Sequence, residues 1–172
     1  MEKIYLDHNA TTPLHPEVLE AMLPALRENF GNPSSVHSFG RTARVLLDEA
    51  REKVARLIGA HSSEIIFTSG GTEANNLALL GVSLKGKGKN IITSKVEHPS
   101  VLNPCRQLEE QGIEVFYLGV DRYGRIDLNE LDSMITESTA LISLQHANSE
   151  TGVLQDIKRV SDIARNKGIL FH

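Results

Sequence analysis

The sequence predicts an α/β fold, a mostly parallel sheet flanked by helices, preceded by an N-terminal helical segment. Two observations carry this expectation. Short apolar, β-type runs alternate with helical patterns of about 10–15 residues, which is the signature of βαβ units. The connections between them are short and rich in Gly, Asn, Asp and Ser, with no repeat and no low-complexity linker.

Taken in order, residues 1–15 read as an N-terminal arm, 16–60 as helices around a polar loop, and 61–172 as the first part of the sheet domain. Glu17–Phe30 places Val18, Leu19, Met22, Leu23, Leu26 and Phe30 on a helical stripe, with Pro16 in the first turn and Pro24 expected to bend it. The loop "GNPSSVHSFGR" has no periodicity. Arg41–Ile58 is amphipathic, with Glu49–Lys53 and Glu52–Arg56 in the favourable i,i+4 order and Gly59 placed to close it. Then come a strand at Ile65–Thr68, a helix at Glu73–Leu84, a "KGKGK" turn and a strand at Asn90–Ser94. A helix from Pro99 to about Gln111 leads to a strand at Ile113–Leu118, the "DRYGR" turn and a helix capped by Asp127. A strand at Ala140–Leu144, the loop "QHANSETG", a helix over about Asp156–Lys167 and a last strand, "GILFH", complete the pattern. That last strand ends the sequence, so the sheet is expected to be incomplete at this edge.

Composition narrows the functional classes. The chain has 172 residues, 18 basic against 22 acidic, and a net charge of −4. With no basic stripe, a nucleic-acid surface is not expected. No apolar run approaches a membrane span, and "MEKIYLDHN" lacks the charged and apolar regions of a signal peptide. One cysteine, Cys105, fits a reducing compartment, and the expected location is the cytoplasm. The seven histidines are scattered without metal-ligand spacing, so no metal site is expected.

In an open parallel sheet, ligands gather beyond the carboxyl ends of the strands. This selects the loops at Ser69–Thr72, Val96–Pro99 and Gln145–Gly152. In "FTSGGTEANN", Gly70 and Gly71 let the backbone approach an anion, and a helix opens at Thr72 or Glu73 with unpaired N–H groups. The same loop also reads as a tight turn with Thr72 as N-cap, and its residues alone do not choose between the two. His98, at a strand end before Pro99, can stack on a flat ring, shuttle a proton, or simply cap the next helix. Gln145, His146, Asn148, Ser149 and Glu150 form either a functional cluster or a polar turn that satisfies its own backbone. Cys105, inside a helix, reads as a half-buried structural thiol.

Together, "YLDHNATTP", "FGNPSSVHSFG", "FTSGGTEANNLAL", "VEHPSVL" and "HANSETGVLQDI" occur in the order found in cysteine desulfurases. The chain resembles these enzymes of the class V aminotransferase group, fold-type I, from about Ile4 to His172. The resemblance implies pyridoxal 5'-phosphate as cofactor, with Gly71 and Thr72 on its phosphate and His98 stacked on its ring as a catalytic residue. Asn9, Ala10, Thr11 and Asn32 are then placed near the substrate carboxylate or a dimer contact. Ser149 stands where the family usually has an Asn that contacts the ring hydroxyl oxygen, so that contact is expected to be lost or bridged by water.

The resemblance further implies L-cysteine as substrate, converted to L-alanine and an enzyme-bound persulfide that supplies iron–sulfur assembly or RNA thiolation. Expected partners are a second copy in a homodimer and a sulfur-acceptor or scaffold protein, with neither nucleic acid nor membrane. The family's pyridinium-binding Asp, Schiff-base Lys and mobile Cys have no counterpart in these residues. The chain is therefore expected to be inactive alone, either as a piece of a longer enzyme or as one that needs a complementary C-terminal fragment. The alternative is a non-catalytic, desulfurase-like binding or assembly module.

Overall fold

The computed structural model describes residues 3–84 and 90–172, and the chain divides into two compact units, Met1–Phe67 and Thr68–His172. The expected turn over residues 85–89 lies outside the described residues.

The first unit is helical. Helix α1 (Pro16–Arg27) begins with Pro16 at its first position, where a missing N–H costs nothing, and continues through Pro24. Helix α2 (Ser38–Ile58) starts three residues earlier than its apolar stripe suggests, because His37 Nδ1 accepts the Gly40 N–H and caps it. Gly59, at φ 70°, ends α2 in the left-handed conformation expected of a C-terminal glycine. The loop between α1 and α2 is built on close backbone approach: a Cβ on Gly40 would sit 2.2 Å from the Ser35 carbonyl oxygen. A 3-10 turn, η1 (Ser62–Glu64), follows, with the Glu64 carboxylate accepting the His61 N–H at 2.8 Å.

The strand expected at Ile65–Thr68 is not formed. These residues join no ladder among the described residues, and Ile66 and Phe67 remain 67% and 46% exposed. Their β-type side chains make extended backbone favourable, but a strand also needs a partner to hydrogen-bond.

The second unit holds the sheet. Helix α3 (Gly71–Leu84) opens it, followed by β1 (Asn90–Ser94), α4 (Pro99–Glu110), β2 (Glu114–Leu118), α5 (Leu128–Met134), β3 (Thr139–Ile142), α6 (Ile157–Asn166) and β4 (Leu170–Phe171). The strand order is β2-β1-β3-β4 and every pairing is parallel. Alternation along each strand sends neighbours to opposite faces. Ile91 and Leu141 pack with Leu79, Val101, Cys105 and Leu108 of α3 and α4. Ile92 and Ile142 pack on the other face with Leu131, Val160 and Ala164 of α5 and α6. Being covered twice explains why these strands read as continuous apolar runs rather than alternating ones.

Order also fixes where a ligand belongs. From β1 the chain runs outward to β2, while β3 lies on the other side of β1 and runs outward to β4. The switch point is thus the β1–β3 pair, and the crevice beyond its carboxyl ends is the natural binding place. No helix among the described residues is long and apolar enough to cross a membrane.

Gly40→Ala is expected to destabilise the first unit by about 1–3 kcal/mol, as overpacking does. Chemical denaturation followed by helical circular dichroism checks this, and an unchanged midpoint would show that the loop can relax.

Candidate cofactor site at the sheet switch point

Helix α3 begins at Gly71, one residue before the expected range, so Thr72 lies in its first turn and is not its N-cap. The preceding loop is fastened from within the helix: Glu73 Oε2 accepts both the Ser69 N–H at 2.7 Å and the Ser69 hydroxyl at 2.6 Å. These bonds hold the Glu73 carboxyl below its ordinary range. With Glu73 turned to Ser69, the exposed N–H groups of the first turn have no intrahelical acceptor. A Cβ on Gly70 or Gly71 would meet nothing within 4 Å, so the approach to these amides is open.

His98 ends the β1–α4 connection and caps α4, its Nδ1 accepting the Ser100 N–H at 3.1 Å. Capping and a role in the crevice are not alternatives here, because the cap uses only one ring nitrogen. Thr72 and His98 line a single cavity of about 320 Å³, together with Asn76, Ser100, Asn103 and Gln107 of α3 and α4. No acidic side chain is among the residues lining it. Helix N–H groups, a threonine hydroxyl and neutral amides form a donor set suited to a phosphate, and the exposed imidazole can lie against a flat ring. The residues present fit pyridoxal phosphate.

Ser149 does not line this cavity, but its loop is tied to the residues before His98. The Val96 carbonyl accepts Gln145 Nε2 at 2.6 Å and Asn148 Nδ2 at 3.1 Å. Glu97 Oε1 accepts the Gln145 N–H at 3.0 Å and the Ser94 hydroxyl at 2.8 Å. Asn148 Oδ1 meanwhile accepts the N–H groups of Glu150 and Thr151. The loop therefore satisfies its own backbone and also clamps the two crevice loops together. Glu97 is 6% exposed, and burial pushes its carboxyl up despite the two bonds that favour its charged form.

Spacing gave no hint of this clamp, since Glu97 is a single acidic residue at a strand end. Asn76 and Ser100 were missed for a similar reason: only the packing of α3 on α4 brings them to the cavity. Asn9, Ala10, Thr11 and Asn32 belong to the first unit. There Ala10 and Thr11 donate their N–H groups to the Asp7 carbonyl, and Asn32 Oδ1 accepts the Ser34 N–H at 2.9 Å. Cys105 is fully buried, more than the half-buried thiol expected, and burial raises its pKa to about 11. Among the described residues no group of His, Cys, Asp and Glu could hold a metal ion.

The family model for class-V aminotransferases matches residues 4–172. The chain belongs to that family. Its sequence is 56% identical to the cysteine desulfurase IscS of Dictyoglomus turgidum, over 99% of this chain and 44% of that protein. It is 48% identical to cysteine desulfurase IscS 1 of Archaeoglobus fulgidus, over 96% of this chain and 44% of that protein. Among solved structures, a NifS-like protein matches with a TM-score of 0.94 at 39% identity, over 99% of this chain and 48% of that one. SspA in complex with cysteine matches with a TM-score of 0.92 at 39% identity, over 98% and 49%. The chain thus spans a little under half the length of these relatives.

The clamp predicts a pH signature. A carboxyl raised in the folded state stabilises the fold below its ordinary value of 4.5, and that contribution is lost as pH rises through the raised value. Wild type should therefore lose stability relative to Glu97→Gln as pH climbs above 4.5. Glu97→Ala, which strands the Ser94 hydroxyl and the Gln145 N–H, should cost about 1–3 kcal/mol. Urea melts at a series of pH values check both, and a pH-independent gap between wild type and Glu97→Gln would contradict the first.

Proposed function

We propose that residues 1–172 form the cofactor-seating part of a pyridoxal-phosphate-dependent cysteine desulfurase. The observation that carries this reading is the shared cavity of Thr72 and His98 between the N-terminal parts of α3 and α4. Its desulfurase relatives and the cysteine complex of SspA support L-cysteine as substrate. The products are then L-alanine and a persulfide, whose sulfur passes to an iron–sulfur scaffold or an RNA-thiolation acceptor.

When bound, pyridoxal phosphate supplies an electron sink for bond cleavage at the substrate. The part of this chain is to hold and orient. The first-turn N–H groups of α3, with Gly71 leaving them accessible and Thr72 adding its hydroxyl, bind the phosphate. His98 covers one face of the ring and handles a proton at Nε2, the nitrogen its cap leaves available. Ser149, shorter than the family's Asn, reaches the ring oxygen through water. Asn9, Ala10, Thr11 and Asn32 serve the substrate carboxylate or the contact between two copies.

The chemistry needs a lysine, an aspartate and a thiol at family positions that have no counterpart in residues 1–172. We accordingly propose that residues 1–172 by themselves bind the cofactor without turnover, and that the enzyme works in the cytoplasm.

Titrating the chain with pyridoxal phosphate should give a saturable absorbance change that inorganic phosphate competes away. Thr72→Ala should weaken that binding about tenfold, equivalent to ~1.4 kcal/mol. Failure of phosphate to compete would remove the seat, and release of alanine from L-cysteine by residues 1–172 alone would overturn the absence of turnover. Ser149→Asn should tighten binding several-fold, and unchanged affinity would separate Ser149 from the ring.

A further inference from the structure

A hydrogen-bonded chain runs behind His98, from the helix that carries the anion seat. Asn75 Nδ2 on α3 donates to Ser100 Oγ on α4 at 2.7 Å. Ser100 Oγ in turn lies 2.8 Å from His98 Nδ1. The Ser100 N–H donates to that same nitrogen at 3.1 Å. Ser100 is buried, at 9% exposure, while the His98 ring is exposed.

The inventory of protons decides how this chain is oriented. An amide N–H is only a donor, so Nδ1 must present a lone pair to Ser100 N–H. Because Nδ1 accepts, Ser100 Oγ turns its hydroxyl proton toward it and receives the Asn75 amide on a lone pair. Two donors therefore converge on Nδ1, and the single proton of the neutral imidazole resides on Nε2. That nitrogen makes no hydrogen bond among the described residues and is the one left for a ligand.

We propose that Ser100, held by Asn75, is a positioning residue that fixes the tautomer and rotation of His98. Its hydroxyl keeps Nδ1 an acceptor, so the neutral ring meets the cofactor and substrate as an Nε2–H donor. For Nε2 to act as a base, the ring must give up its Nε2 proton and carry one on Nδ1 instead, and Ser100 Oγ must rotate to accept from it. The pair also couples the two halves of the site, because Asn75 lies one turn along α3 from Thr72. A shift of the anion seat is transmitted to the ring through two hydrogen bonds. This assignment rests on the proposed role of His98 at the cofactor, but its chemistry is measurable without one.

The experiment is nitrogen NMR of the 172-residue chain labelled at histidine, above the pH at which its rings are neutral. His98→Gln identifies the His98 signals. The wild-type ring should show a protonated Nε2 and a hydrogen-bonded, unprotonated Nδ1. Ser100→Ala should move Nδ1 toward the position of a free acceptor and introduce the other tautomer, and Asn75→Ala should do the same to a smaller degree. Ser100→Thr, which keeps the hydroxyl, should restore the wild-type pattern. A retained amide spectrum shows that each variant is folded, and loss of a cap alone would not be rescued by the hydroxyl. A protonated Nδ1 in wild type overturns the proposal, as does an Nδ1 signal that neither Ser100→Ala nor Asn75→Ala moves. Addition of pyridoxal phosphate reads the cofactor assignment separately: unmoved His98 signals would remove the ring contact and leave the tautomer result standing.

Discussion

The site depends on one pairing, that of β1 with β3. These strands are adjacent in the sheet but not in sequence, and the chain leaves them in opposite directions. The helices that follow them therefore lie on opposite faces, α4 on one and α6 on the other, which leaves a crevice at the carboxyl edge. The hydrogen bonds from Gln145 and Asn148 to Val96, and from Gln145 to Glu97, extend the pairing past the point where the ladder stops. Without them, His98 would sit on a connection free to swing. With them, its backbone is tied to the neighbouring strand's loop, and α4 starts from a fixed point.

Burying Glu97 to achieve this has a cost. A carboxylate in the interior is worth having only where it satisfies donors that would otherwise go unpaired. Glu97 accepts a backbone N–H and a hydroxyl, which makes it a backbone substitute at a place where no strand continues. The two faces of the sheet supply the opposing stability. Each is a contiguous apolar cluster, and none of the clamp residues belongs to either.

Much of the fold was legible because its signals are local. Proline and glycine marked the ends of α1 and α2, and the Asn90–Ser94 strand was read to the residue from a short apolar run between polar loops. What failed was the strand at Ile65–Thr68, since pairing depends on a partner that no local pattern encodes. At the site, Thr72 and His98 were readable from their places at loop and strand ends, and family resemblance gave them roles. Ser100, Asn75 and Glu97 were not, because their significance comes from α3 lying on α4 and from two loops meeting across the crevice. Even the start of α2 lies three residues before its apolar stripe, because a histidine takes the capping place usually held by a small polar residue.

The buried cysteine has a consequence for any sulfur chemistry built on this scaffold. With a pKa of about 11, Cys105 exists as thiolate at only about one part in ten thousand at neutral pH, and no solvent reaches it. A sulfane sulfur or an alkylating reagent would therefore find no competing nucleophile among the thiols of these 172 residues. Labelled sulfur appearing on an enzyme that contains these residues would therefore report thiols outside residues 1–172, against a background in which this region stays silent.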